Sequence, residues 1–454
     1  MLSAITRDHT FRREEGQGSR LWHGLLYAFL VFVFVTGGSS QERGWTDAIS
    51  ELLSLPILAV AFWRLESCTP SRVRRLGLCA MAAVALLPWL QLLPLSPALW
   101  QVPGAREALH ADLVKAGVAT HASTWSLTPA ATFRGALALL PATALFAAVL
   151  GVDTRTQRRL LVLCVALPIA SLLLGFLQMG AAQDSLLNPY PQWAPAMNGT
   201  FANPNHQGTA MLVGLGICLA FSVGAFRSHD EATGRKRNPW PAIIAGGTLL
   251  LGLPLTNSRA AVVIGVLLLV AAPLGMAATA LRRTGEARRG VIALMLVATL
   301  AALGLSAATG WMKVDEIEEF RWLMRQATFS LGFSHLPWGS GIGSFVPVFQ
   351  QALPEGLLMT TYINAAHNDY SQVWLEAGLA GLVAVALVTA AVFAAIAAHV
   401  REHRGDRRLV WAATLGLFVF LAHAGADYAL RTPALLAVAA LLAGVVLAQA
   451  ARSR

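Results

Sequence analysis

A histidine, an amide and two carboxylic acids stand together where the chain enters a long apolar segment. His367, Asn368 and Asp369 open this segment, and Glu376 follows about two helical turns later. A neutral imidazole can accept the proton of an attacking hydroxyl group. A carboxyl group within an apolar helix is costly unless it has a partner or water. The cluster is therefore the first candidate for chemistry.

On a helix that begins near Asn368, four polar residues form one stripe. Asn368, Asp369, Gln372 and Glu376 fall within an arc of about 100° at the helical repeat. We predict that this stripe lines a cavity or supports the site, and that His367 precedes the first turn and points across the helix mouth. The simpler alternative is an interfacial histidine, with Asn368 or Asp369 acting only as the helix N-cap. The opposite face carries small residues that let another helix approach closely: Ala377, Gly378, Gly381 and Ala384.

Three arginines on two other segments could bind an anion. Arg259 stands in TNSRAAVVIG between two apolar segments that are joined by almost no loop, and Arg321 and Arg325 are four residues apart in a helical pattern. A guanidinium suits a planar, multiply charged oxyanion such as a diphosphate. In the alternative interpretation, Arg259 only extends its charge to the interface or caps a helix, and Arg321 and Arg325 only pair with Glu318 and Glu319.

Two further clusters contain titratable groups near apolar segments. Asn205 and His206 lead directly into a span, and Asn205 is the predicted helix N-cap. His423, Asp427 and Arg431 are spaced by four residues, which favours an Asp427–Arg431 ion pair that closes a helix end. None of these clusters has the ligand spacing of a metal site, so we expect neither a metal nor a cofactor.

These groups require a membrane scaffold. The chain of 454 residues is 56% hydrophobic, with a mean hydropathy of +0.58, and its apolar segments are long enough to cross a bilayer. The net charge of +10 comes from short basic clusters between these segments, which indicates orientation and excludes a nucleic-acid partner. We predict an all-α polytopic membrane protein, a single integral domain over residues 1–454. About twelve spans are predicted, near residues 21–38, 46–63, 76–95, 130–150, 160–180, 207–226, 239–257, 260–281, 290–308, 371–399, 409–430 and 432–450.

The basic clusters place both termini in the cytoplasm. Of the 34 lysines and arginines, 25 fall on the predicted inner side. A large outer loop, 309–370, separates the ninth and tenth spans; it contains an amphipathic helix, followed by a tight glycine-rich turn in LPWGSGIGSF. The nine outer exceptions are Arg43, Arg106, Lys115, Arg134, Arg259, Lys313, Arg321, Arg325 and Arg431.

Five motifs, in order across residues 196–440, resemble the O-antigen ligase and polymerase superfamily of bacterial envelope glycosyltransferases. The motifs are GTFANPNHQGTAML, TNSRAAVVIG, LPWGSGIGSF, AHNDYSQVWLEAGLAGL and ADYALRTPALL. The resemblance implies a metal-independent glycosyltransferase in the bacterial inner membrane. Its donor would be a glycan on undecaprenyl diphosphate, and its acceptor a hydroxyl group of a glycan or lipid on the periplasmic face.

The resemblance also assigns roles to individual residues. Arg259, in the Ser-Arg motif, and Arg321, in the large loop, would bind the donor diphosphate, and His367 would activate the acceptor hydroxyl. Both ligases and polymerases share these motifs, so the sequence leaves the choice between them open. A lipid-linked glycan flippase without catalysis is the alternative from another class, although the internal repeats typical of transporters do not occur here.

Overall fold

The computed structural model describes residues 2–41, 44–66, 71–117, 123–190, 197–226, 238–278, 316–353 and 363–452. Over these residues the chain is almost entirely helical, as predicted. The helices are α1 (Leu2–Thr36), α2 (Trp45–Glu66), α3 (Arg72–Gln91), α4 (Pro97–Trp100), α5 (Ala105–Lys115), α6 (Pro129–Ala138), α7 (Leu140–Leu150), α8 (Thr154–Met179), α9 (Pro204–Phe226), α10 (Trp240–Gly252), α11 (Arg259–Ala278), α12 (Glu316–Ser334), α13 (Phe345–Gln351), α14 (Asp369–Glu402), α15 (Arg407–His423) and α16 (Pro433–Ala450).

Within the described residues, eight helical segments are long and apolar enough to cross a membrane. The predicted span at 290–308 lies outside the described residues, so the count of about twelve stays a prediction. The predicted span at 130–150 is divided into α6 and α7. Pro141 stands at the start of α7, where its missing backbone N–H cannot continue the hydrogen bonding of α6.

Two helices form the centre of the bundle. In the apolar 18-residue stretches of α9 and α16, 89% and 83% of the residues are buried inside the protein. The corresponding share is 22% in each of α2, α3 and α14. Helix α9 packs against α8, α10, α11 and α15, and α16 packs against α7, α14 and α15. A helix whose side chains are apolar on every face suits this central position. The N-terminal turns of α9 and α16 are thereby held at fixed positions, and both adjoin the candidate site.

The predicted large loop has a small core of its own. The amphipathic helix predicted there is α12, and it packs against α14. Met324 of α12 lies in one buried cluster with Phe345 and Phe349 of α13 and Leu375 of α14. Residues 309–315 and 354–362 of the predicted loop lie outside the described residues. The rest of the loop is a packed structure that rests on the first two turns of α14.

Helix α14 is interrupted at Gly378. This residue has φ 54° and ψ −144°, a conformation that a residue with a Cβ atom rarely adopts. The interruption frees the carbonyl groups of Leu375 and Glu376, which accept hydrogen bonds from the backbone N–H groups of Ser340 and Gly341 at 2.9 and 2.8 Å. The glycine-rich turn therefore replaces the missing helical hydrogen bonds, which fixes the end of the polar stripe.

A second connection fixes the same turn. The segment between α3 and α6 contains two short antiparallel strands, β1 (Pro94–Leu95) and β2 (Ser123–Thr124). Arg106 of this segment is fully buried, and its guanidinium donates hydrogen bonds to the carbonyl oxygens of Trp125 and Gly339 at 2.6 and 2.9 Å. Burial lowers the pKa of Arg106 to about 10, which still leaves it charged at neutral pH.

Candidate functional site

His367 immediately precedes α14, as predicted. Asn368 is the N-cap of this helix, and its side-chain oxygen accepts a hydrogen bond from the backbone N–H of Ser371 at 2.9 Å. His367 itself has φ 49°, a left-handed conformation that is uncommon for histidine. The left-handed residue and the cap together turn the imidazole away from the helix axis. The position of His367 at the helix mouth therefore results from local backbone geometry.

Asp427 orients the imidazole of His367. Nδ1 of His367 lies 3.1 Å from Oδ1 of Asp427, which is fully buried. Burial alone would raise the pKa of Asp427, but the hydrogen bond from His367 and the nearby imidazoles hold this pKa well below its usual range. An ionised carboxylate can only accept hydrogen bonds, so Nδ1 of a neutral His367 carries the proton and Nε2 carries the lone pair. In the described part of the chain, no residue bonds to Nε2.

Tyr428 packs between two of the predicted histidines. Its ring lies 4.8 Å from the imidazole of His367 and 4.8 Å from that of His206, in edge-to-face contacts. The phenol oxygen accepts hydrogen bonds from the side-chain amides of Asn203 and Asn364, each at 3.4 Å. Three separate segments of the chain thus meet on one aromatic ring, and this ring limits the rotation of His367.

His206 lies in the interior beneath this ring. It is 1% exposed, and neither ring nitrogen has a hydrogen-bond partner among the described residues. Asn205 is not the N-cap of α9, contrary to the prediction. The helix starts at Pro204, so Asn203 takes the cap position, and its side-chain oxygen accepts a hydrogen bond from the backbone N–H of Asn205 at 2.8 Å. The motif Asn-Pro places the cap before the proline, because proline favours the first helical position. His423, at the end of α15, is also buried and bonds through Nδ1 to Thr209.

Arg431 does not pair with Asp427, contrary to the favoured interpretation of their spacing. Helix α15 ends at His423, so Asp427 and Arg431 are not on adjacent turns of one helix. Nη1 of Arg431 lies 2.6 Å from Oε2 of Glu376, and its Nε lies 3.6 Å from Oδ1 of Asp369. Burial alone would lower the pKa of Arg431, but the two carboxylates raise it, so the guanidinium stays charged. This ion cluster joins the start of α16 to the first two turns of α14.

The polar stripe of α14 is bonded to the protein itself. Besides Arg431, the carboxylate of Glu376 accepts hydrogen bonds from the side chain of Gln372 at 3.1 Å and from the backbone N–H of Phe345 at 3.2 Å. The side-chain oxygen of Gln372 accepts from the backbone N–H of Ala366 at 3.2 Å. These contacts favour the supporting role over a cavity lining. The stripe fixes the segment that leads into His367.

Arg259 begins α11 beside the first turns of α9. The preceding Asn257 has a left-handed conformation, with φ 54°, and this residue closes the turn between α10 and α11. A Cβ atom on Gly208 of α9 would lie 2.8 Å from Cβ of Ala261 and 3.6 Å from Cβ of Ser258. Gly208 is two residues from His206, so the turn that carries Arg259 contacts the same end of α9 as the histidine cluster.

Of the two loop arginines, Arg325 has a contact with the hairpin between α15 and α16. Its Nη1 lies 3.3 Å from the carbonyl oxygen of Gly425, which also accepts a hydrogen bond from the side chain of Asn368 at 2.9 Å. Its Nε bonds to the backbone carbonyl oxygen of Arg321, one turn earlier on α12. Arg325 therefore lies beside the helix mouth, and Arg321 is one turn earlier on the same helix. A diphosphate-binding role for Arg321 stays a prediction.

Three residues of the site were missed in the sequence. Tyr428, Asn203 and Asn364 all lie within or next to the quoted motifs, yet nothing in their spacing predicts that they meet. A signal existed for Asn203 alone, because it precedes a proline at the start of an apolar segment.

The candidate site and the basic start of α15 lie at opposite ends of this helix. Helix α15 begins with Arg407 and Arg408 and ends at His423 of the site. Its length of 17 residues corresponds to about 25 Å, close to the apolar thickness of a bilayer, which is roughly 30 Å. The histidine cluster is therefore at one end of the bundle, and these arginines are at the other.

The comparison with protein families supplies an independent observation. The family model of the O-antigen ligases matches residues 244–386. This part of the chain is similar to the O-antigen ligase family. The predicted resemblance to the superfamily is thereby confirmed, and the match supports a membrane protein with a role in glycan transfer for polysaccharide biosynthesis. No curated protein matches the chain.

The residues that match the family model contain part of the candidate site. Arg259, Arg321, His367 and the polar stripe of α14 lie within the matched residues, whereas Asp427, which orients His367, lies beyond them. The site is therefore formed by the matched residues together with the first turns of α9 and the hairpin before α16.

Proposed function

We propose that the protein transfers a glycan from an undecaprenyl-diphosphate carrier to an acceptor hydroxyl group on the periplasmic face of the bacterial inner membrane. The observation that carries this proposal is the pair of His367 and Asp427, in which the carboxylate fixes the imidazole with Nε2 available as a base. The O-antigen ligase family match supports a glycan as the group that is transferred.

The proposed reaction is a single displacement at the anomeric carbon of the donor sugar. The acceptor oxygen forms a bond to this carbon while the bond from the carbon to the diphosphate oxygen breaks. Nε2 of His367 takes the proton of the acceptor hydroxyl, and the diphosphate leaves with the electron pair of the broken bond. Asp427 stabilises the imidazolium that forms. A general base in this position contributes roughly 10²–10⁴-fold to the rate.

Arginines would stabilise the charge of the leaving diphosphate. Arg259 starts a helix next to the histidine cluster. On α12, Arg325 contacts the hairpin at Gly425, and Arg321 is one turn earlier. A guanidinium can hold two phosphate oxygens at once, and such preorganised charge favours the developing negative charge in the transition state. Arg259 and Arg321 are the proposed diphosphate ligands.

The position of the site supports the periplasmic face. The histidine cluster lies at the helix ends opposite to Arg407 and Arg408, and basic clusters mark the cytoplasmic side of a membrane protein. Donor and acceptor would therefore meet outside the cytoplasm, at the level of the carrier headgroup.

The direct test uses purified protein in lipid vesicles with a defined lipid-linked glycan and a defined acceptor. We expect one free undecaprenyl diphosphate for each glycan transferred. A ligase should release none without its separate acceptor, whereas for a polymerase a second lipid-linked repeat is itself the acceptor. A ladder of product lengths from the lipid-linked repeat alone would identify a polymerase, and a single transfer to a lipid acceptor would identify a ligase. A flippase would move the carrier across the vesicle membrane and release no free diphosphate, which would refute the proposed transfer.

A further inference from the structure

A cavity of about 310 Å³ lies at the end of the bundle opposite to the candidate site. It lies between α8, α9, α10 and α15, and α9 packs against the other three helices. Nothing in the proposed glycan transfer uses this region. The lining residues are Arg158, Val162, Val165, Cys218, Phe221, Ala225, Asn238, Pro241, Ala242, Ala245 and Arg408.

The cavity has a charged rim and an apolar interior. Arg158 lies in the first turns of α8 and Arg408 in the first turn of α15, so both guanidinium groups are at the same end. Val165 is seven residues further along α8, which corresponds to a depth of about 10 Å. The described lining residues include two arginines, and the carboxylate of Asp406 lies beside both of them. The cavity therefore matches a ligand with an anionic end and an apolar body.

The two arginines are held in place by local contacts. Asp406, the N-cap of α15, lies 3.1 Å from Nη2 of Arg158 and 3.8 Å from Nε of Arg408. The stem of Arg408 lies along α9 so closely that a Cβ atom on Gly224 would be 2.3 Å from Cδ of Arg408. The side chain of Arg158 is 42% exposed, and that of Arg408 is 24% exposed.

One further observation favours a lipid over a soluble anion. Val162, which lines the cavity, is 49% exposed. An exposed valine in a helix that is long and apolar enough to cross a membrane suits contact with a lipid chain.

We propose that this cavity binds one anionic glycerophospholipid, with the phosphate against the exposed sides of Arg158 and Arg408 that face away from Asp406, and part of an acyl chain along Val165 and Ala245. Basic pockets between helices near one membrane surface are suited to such headgroups. The proposal concerns a site remote from His367 and does not depend on the proposed glycan transfer.

The test measures lipid bound to the purified full-length protein by native mass spectrometry, with equal amounts of phosphatidylglycerol and phosphatidylcholine. We expect a preference for phosphatidylglycerol. Each arginine near an anionic headgroup contributes roughly fivefold to binding, so the double variant Arg158→Gln/Arg408→Gln should bind about 25-fold less. The matched control Arg159→Gln, an exposed neighbour on α8 that does not line the cavity, should bind like the wild type.

A second variant tests the apolar part of the cavity. Ala245→Phe fills the interior and should abolish binding of phosphatidylglycerol, whereas Ile244→Phe, at an exposed position of the same helix outside the cavity, should not. Thermal melting of each variant confirms that it is folded. Equal binding of the two lipids would overturn the proposal. So would unchanged lipid binding in Ala245→Phe, or displacement of the lipid by millimolar inorganic phosphate, because either result would mean that a free anion is sufficient.

Discussion

Replacement of Asp427 by asparagine tests whether this carboxylate orients His367. The carboxylate holds Nδ1 of His367 at 3.1 Å and also accepts a hydrogen bond from the backbone N–H of Tyr428 at 2.9 Å. An asparagine keeps the size of the side chain, but its amide can donate to Nδ1. The proton of the imidazole would then reside on Nε2, which could no longer accept the acceptor proton.

The size of the effect follows from the contribution of a general base. If Nε2 is protonated in most molecules, most of the roughly 10²–10⁴-fold contribution of the base is lost. We expect the turnover number of Asp427→Asn to fall about 10²–10³-fold, which corresponds to about 3–4 kcal/mol in the activation barrier. The Michaelis constant for the lipid-linked donor should change little, because Asp427 is fully buried and is not a proposed donor ligand.

The assay measures the release of undecaprenyl diphosphate in vesicles, normalised to folded protein. The matched control is Asp153→Asn at the N-cap of α8, where asparagine caps a helix as well as aspartate does. This control should keep full activity. Wild-type turnover in folded Asp427→Asn would refute the proposed orientation of His367.

Three further predictions concern the scaffold of the site. In Gly378→Ala, the new Cβ atom would lie 2.5 Å from the carbonyl oxygen of Pro337 at a left-handed residue, so we expect a loss of about 1–3 kcal/mol in stability. Gly247→Ala, with no atom within 4 Å of its Cβ position, should be neutral or slightly stabilising. Arg431→Met leaves the buried carboxylate of Glu376 without its cation, which should cost roughly 3–5 kcal/mol. The stability difference between the wild type and Asp427→Asn should be constant above about pH 5 and decrease only below about pH 4.

The sign of the pH dependence follows from the direction of the pKa shift. The pKa of Asp427 is well below its usual range in the folded protein, so its contribution is fully present above the unfolded value of about 3.9 and is lost as the pH falls through the folded value. Melting temperatures of both proteins between pH 3 and 8 measure this difference. A difference that disappears between pH 7 and 5 would contradict the shift.

The outcomes of Gly378→Ala and Arg431→Met are also measured by thermal melting in detergent. Addition of Glu376→Gln to Arg431→Met should restore part of the stability, because it removes the unpaired buried charge. No recovery in the double variant would mean that the ion cluster is not the cause of the loss. Equal melting temperatures for Gly378→Ala and Gly247→Ala would contradict the strained conformation.

Local signals predicted much of the scaffold. The acidic start and the apolar period predicted α12, and the Asn-Asp pair after His367 predicted the start of α14 within one residue. Both features depend on residues that are neighbours in sequence, so a helical period and a capping residue are sufficient to predict them. The apolar segments likewise predicted the positions of helices such as α9 and α16.

The site required contacts that spacing alone does not specify. A spacing of four residues suggested an Asp427–Arg431 pair, but this rule holds only on a continuous helix, and α15 ends before Asp427. The partners that replace this pair, His367 and Glu376, are 60 and 55 residues away in the chain. The interruption at Gly378 was also missed, because it depends on hydrogen bonds from the glycine-rich turn.

The most direct test of the central claim is the turnover of His367→Ala with a defined lipid-linked glycan and acceptor. We predict a loss of roughly 10²–10⁴-fold in the rate of glycan transfer, with unchanged membrane insertion, because His367 is the proposed base and not a donor ligand. Wild-type transfer by folded, correctly inserted His367→Ala would contradict the assignment of His367 as the residue that activates the acceptor hydroxyl.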